Sequence, residues 1–120
     1  MAHSLVKVYI HYVWTTKNRQ RVLVGDGSRV VEDHLAAYAK EKSIHIDALN
    51  VQPEHVHVLV KLEHDQRIDD VVKFLKGESS HWINNKDILL GKFSWQTGYA
   101  AFSVAYGSID AVRHYILKSG

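Results

Sequence analysis

The chain has 120 residues, 46% of them apolar, and a net charge of +2 with its histidines neutral, which fits one folded domain. It has no cysteine, so disulfides and thiolate metal sites are excluded, and no apolar run approaches the roughly 18 residues of a membrane span. The charge balance alone does not argue for nucleic acid. Met1-Ala2-His3-Ser4 carries no signal-peptide pattern, so the expectation is a soluble cytoplasmic protein with no membrane partner.

Val6 to Thr16 is rich in valine, tyrosine and tryptophan and predicts a first strand. Lys17, Arg19 and Arg21 follow directly. A basic cluster in a loop suits phosphate contact, although on composition alone a merely solvated loop is the plainer account, since three charges are a weak signal. Gly25-Asp26-Gly27-Ser28 breaks the pattern, and Asp26 or Ser28 can cap the next helix. Val30, Val31, His34, Leu35 and Tyr38 recur at helical spacing through about Lys42. Ile44 to Val51 predicts strand two, and Gln52-Pro53-Glu54 a tight connection, because proline cannot extend a central strand.

Strand three, His55 to Leu62, holds the most informative feature. Successive side chains of a strand point to opposite faces, so His55 and His57 share one face, their Cα atoms roughly 6.5 Å apart. Val56, Val58 and Val60 point the other way, into a core. Two imidazoles so placed can converge on a divalent ion acting as a Lewis acid; a pair that packs or is solvated is the plainer alternative, and two ligands need a third.

Ile68, Val71, Val72 and Leu75 form the stripe of a second helix reaching about Asn84. Gly77 inside it costs about 1 kcal/mol relative to alanine, which a close backbone approach or a harmless kink explains. A short strand is expected over Ala100 to Ala105. A last helix after Ser108 has the stripe Ile109, Val112, Tyr115 and Ile116. The order β-α-β-β-α-β plus a C-terminal helix is the ferredoxin-like, α+β plan: an antiparallel sheet with two helices on one face and the other face free for a ligand or a second subunit. From spacing alone, Tyr115 is a core residue.

Five segments, in order, resemble the small single-tyrosine HUH transposases of the IS200/IS605 type, including the REP-associated tyrosine transposases. They are His11-Tyr12-Val13-Trp14-Thr15-Thr16-Lys17-Asn18-Arg19, Gln52-Pro53-Glu54-His55-Val56-His57-Val58-Leu59-Val60, Lys76-Gly77-Glu78-Ser79-Ser80, Trp95-Gln96-Thr97-Gly98-Tyr99-Ala100-Ala101-Phe102-Ser103-Val104, and Val112-Arg113-His114-Tyr115-Ile116. The resemblance implies that His55 and His57 hold Mg²⁺ or Mn²⁺ against a scissile phosphate. It implies that Tyr115 attacks that phosphate, giving a 5′-phosphotyrosine link and a free 3′-hydroxyl. The implied substrate is a single-stranded DNA hairpin, with Lys17, Arg19, Arg21 and Lys76 as candidates for its contacts. The implied assembly is a homodimer joined through its sheets, nucleoid-associated when on DNA.

One position departs from the pattern. The family carries glutamine four residues after the tyrosine as third metal ligand, and here Ser119 stands there. The spacing is right for a shared helix face, but a hydroxyl is a poorer ligand than an amide oxygen. A weakened enzyme, a substitute ligand (His114, Glu54 or water) and a shortened chain are the competing explanations. A domesticated hairpin-binding module that no longer cleaves, a metal-dependent hydrolase and a metal-free binding domain are the rival functions.

Overall fold

Alternating burial decides the architecture. In β1 (Val8–Thr15), Ile10, Tyr12 and Trp14 are buried and the residues between them only partly so. β3 (His55–Leu62) is buried along most of its length, which requires cover on both faces. The computed structural model describes residues 5–89 and 91–118. The remaining elements are α1 (Gly27–Glu41), β2 (His45–Val51), α2 (Ile68–Asn85), β4 (Ala100–Val104) and α3 (Ile109–Lys118), with 3-10 turns at Lys17–Arg19 and Tyr106–Ser108. The strands form one antiparallel sheet in the order β2-β3-β1-β4, as the split βαβ plan requires.

α1 and α2 cover one face. Tyr12, Trp14, Val56, Val58 and Val60 meet Val31, Leu35 and Ala39 of α1 and Val71, Val72, Leu75 and Ile83 of α2. The Tyr12 hydroxyl donates to the Ile68 carbonyl at 2.7 Å, tying the first turn of α2 to the central strand. Asp26 occupies the N-cap of α1 without a side-chain hydrogen bond, and Ser28 lies inside the first turn. α2 runs unbroken through Gly77, where an added Cβ would meet nothing within 4 Å. Neither a kink nor a close approach within the chain therefore explains that glycine.

The second face is not free, contrary to the sequence expectation. α3 lies on it, with Ile109 and Ile116 packed on Ala48 and Leu59. Arg113 Nη2 donates to Asp47 Oδ2 at 2.7 Å, and Asn50 Nδ2 donates to the Ile116 carbonyl at 2.8 Å. The apolar stripe of α3 needs a partner, and the small Ala48, beside the register shift in β2, leaves room for one. The last helix is thus docked over β2 and β3, while Phe102 on edge strand β4 stays exposed.

Two of the sequence segments prove to be one assembly. Ser79 Oγ, fully buried in α2, donates to the Leu75 carbonyl at 2.6 Å and accepts from Trp95 Nε1 at 2.9 Å. Lys76 Nζ donates to the carbonyls of Gln96 and Gly98 at 2.9 and 2.6 Å. Gly98 has φ +92°, a left-handed conformation that favours glycine. One turn of α2 therefore holds the segment leading into β4.

Candidate active site

Strand alternation delivers the site to the second face, beside α3. The rings of His55 and His57 lie 4.9 Å apart between centroids and nearly perpendicular. His11 of β1 joins them, with its Nε2 2.9 Å from His57 Nδ1. His55 Nδ1 is 2.7 Å from Glu54 Oε1. The Nδ1 atoms of His55 and His57 are thus engaged, and Nε2 is the atom through which each of these two would hold a cation.

The environment favours the uncharged form of His57. Burial, with the neighbouring His55 and His11, pushes the His57 imidazole down to about 4. Burial also lowers His11. An imidazole must be neutral to ligate. Burial alone would raise Glu54, but the hydrogen bond from His55 and the charge of Arg21 outweigh it and hold the carboxyl below its usual value. Glu54 lies at the back of His55, on Nδ1, which does not suit it to the same ion as Nε2. His114 is exposed on α3 beside Asp110, Arg113 and Leu117. Among the described residues no three His, Asp or Glu side chains gather as a ready metal cage, and Ser119 lies outside them. Two imidazoles with coordination positions left over are nevertheless a donor set that suits a divalent ion open to substrate oxygens.

Tyr115 is carried to this cluster by α3. Its ring meets His57 edge-on at 5.8 Å and His11 at 6.3 Å. It is 60% exposed, so it is no core filler as its spacing alone suggests. Ile116 beside it fills the core instead. Tyr106 is exposed in the turn before α3.

The basic residues divide. Lys17 and Arg19 are exposed on a turn in which Asn18 and Arg19 have positive φ. Asn18 N donates to Gln96 Oε1 at 2.9 Å, and Lys17 N to the Ser94 carbonyl at 3.2 Å. Arg21 pairs with Glu54. Lys76 is spent on the Gln96 and Gly98 carbonyls, and burial lowers its pKa. Lys76 and the basic turn therefore grip the same segment from two sides.

Residues 4–119 match the family described as transposase IS200 like. The chain belongs to the IS200-like transposase family. It is 31% identical over 111 residues to the ISDra2 transposase TnpA of Deinococcus radiodurans, covering 88% of this chain and 79% of that protein. A crystal structure of a candidate transposase from Deinococcus radiodurans R1 superposes with a TM-score of 0.78 at 27% identity, covering 98% of this chain and 94% of the other. The structure of a REP-associated tyrosine transposase bound to a REP hairpin has a TM-score of 0.69 at 16% identity, covering 97% of this chain and 68% of the other; at that identity the likeness is one of fold.

For a transposase of this family, sequence reasoning passed over His11. Its signal was present: Tyr9, His11 and Val13 alternate with the buried Ile10, Tyr12 and Trp14, so His11 belongs to the face opposite the core. Its pairing with His57 had no local signal, since it depends on how β1 registers against β3. No helix of the described residues is long and apolar enough to cross a membrane.

Proposed function

We propose that this transposase cleaves and rejoins single-stranded hairpin DNA with Tyr115 as nucleophile and a divalent ion held by His55 and His57. The observation that carries the reading is the placement of the exposed Tyr115 ring 5.8 Å from His57, on the face that also holds His55. The Tyr115 oxygen attacks the scissile phosphorus, forming a phosphotyrosine bond as the bond to the 3′ oxygen breaks. The phenolic proton is lost to solvent and the departing oxygen gains one, leaving a 3′-hydroxyl. The linkage keeps the phosphate activated for rejoining, so no nucleotide is consumed. The ion, Mg²⁺ or Mn²⁺, would neutralise charge on the phosphoryl oxygens. Lys17 and Arg19 supply exposed positive charge for the strand, and Arg21 can contribute once released from Glu54. The hairpin substrate is supported by the fold shared with the hairpin-bound REP-associated transposase. A homodimer is supported by β4, an edge strand that exposes Phe102 and its outer backbone groups.

The test is a denaturing gel of the protein with Mn²⁺ and labelled hairpin DNA from the flanks of its gene, beside Tyr115→Phe. A slow, protein-linked band that needs Tyr115 is expected. Binding on a native gel without that band refutes cleavage and leaves the non-cleaving hairpin module.

A further inference from the structure

We infer that Glu54 is a positioning residue that couples the basic turn to the metal ligand His55. The inference rests on the proposed role of His55 in holding a divalent ion. Glu54 sits between two groups of different function. Its Oε1 takes His55 Nδ1 at 2.7 Å, and its Oε2 pairs with Arg21. Arg21 is 68% exposed at its side chain and Glu54 only 15%, so the ion pair joins the exposed basic turn to the interior of the site.

The backbone holds this arrangement in place. Thr16 N donates to the Glu54 carbonyl at 2.9 Å, and Leu23 N donates to the Pro53 carbonyl at 3.1 Å. Both ends of the basic turn are thereby pinned to the two residues before His55. Thr16 Oγ1 adds a bond to the Gln20 carbonyl at 2.6 Å within the turn. Glu54 cannot shift without moving the turn, nor the turn without moving Glu54.

Two consequences follow from the chemistry. A carboxylate accepting from Nδ1–H fixes the tautomer that leaves the Nε2 lone pair for a cation, and makes the imidazole a better donor. Among the described residues, the Nδ1 of His57 meets the imidazole of His11 and no carboxylate. The two ligands are therefore unequally supported: a carboxylate backs His55 and an imidazole backs His57. Arg21 draws on the same carboxylate. A DNA phosphate that takes Arg21 leaves Glu54 to His55 alone, so strand binding at the turn strengthens His55 as a ligand. By linkage, metal binding strengthens the turn's hold on the strand equally.

The experiment is Mn²⁺ titration of the full chain, followed by electron paramagnetic resonance of the free ion, for wild type, Glu54→Ala, Glu54→Gln, Arg21→Ala and His55→Ala. Imidazole ¹⁵N spectra of the metal-free protein accompany it. Loss of the outer partner weakens Mn²⁺ binding about 10- to 100-fold in Glu54→Ala, and less in Glu54→Gln, which keeps an acceptor. Arg21→Ala binds Mn²⁺ at least as tightly as wild type. The His55 ring carries its proton on Nδ1 in wild type and changes tautomer in Glu54→Ala, a signature that mere loss of packing does not produce. If His55→Ala abolishes Mn²⁺ binding while both Glu54 variants match wild type, the positioning role is refuted. If His55→Ala itself leaves binding unchanged, the metal assignment fails instead.

Discussion

Ser79→Ala isolates one hydrogen bond that organises the segment before β4. The Ser79 hydroxyl is the partner of Trp95 Nε1, and both residues are buried. Alanine fits the space and leaves the indole N–H unpaired. An orphaned buried donor costs about 1–3 kcal/mol. The bond from Ser79 to the Leu75 carbonyl is a back-bond within the helix, and its loss adds little. Alanine is the better helix former and returns about 0.5 kcal/mol. The net destabilisation is about 1–2 kcal/mol. For a domain of this size each kcal/mol shifts the melting temperature by about 4 °C. Trp14 makes relief harder: its Nε1 is already buried without a partner, and its ring lies 5.9 Å from that of Trp95. Urea unfolding followed by tryptophan fluorescence measures the effect, and a Trp95→Phe double-mutant cycle isolates the bond. A Ser79→Ala protein within 0.3 kcal/mol of wild type, roughly the scatter of additive effects, refutes the reasoning, since the segment would then hold without this contact.

Stability should also respond to pH through His57. Its pKa falls from 6.5 to about 4 on folding, so below 6.5 the unfolded chain binds a proton that the folded one does not. Stability is therefore full above 6.5, falls by about 2–3 kcal/mol as the pH drops to 4, and levels off below that; His11 shifts in the same direction. An identical slope in His57→Asn would show that other groups carry the dependence. Gly77→Ala should stabilise by about 0.5–1 kcal/mol, since nothing within 4 Å opposes the methyl group; a lower melting temperature contradicts this. Arg113→Ala removes the pair with Asp47 that anchors α3, so cleavage should drop about tenfold or more through displacement of Tyr115, with hairpin binding on native gels unchanged. Equal loss of both would mean that Arg113 contacts the strand itself.

The strand carrying the histidines was legible because its period is short. Val56, Val58 and Val60 could only face a core, so His55 and His57 had to share the other side. The helices were legible from stripes such as Val71, Val72 and Leu75. The roles of Lys76 and Ser79 were not: nothing local tells a lysine bound for phosphate from one that caps two carbonyls of a distant loop, or a surface serine from one beneath an indole. His11 was hidden for a similar reason, since its partner lies 46 residues away.

Secondary structure, the split βαβ order and the shared face of the two histidines follow from the sequence by itself, because each depends on patterns within a few residues of chain. The tertiary structure decided where α3 docks. Tyr115 has the same helical spacing as a core residue, and only the seating of Ile109 and Ile116 on Ala48 and Leu59 turns its ring toward His57 instead of inward. That choice depends on contacts between elements far apart in the chain, formed where the sheet leaves an apolar surface small enough for one short helix to fill.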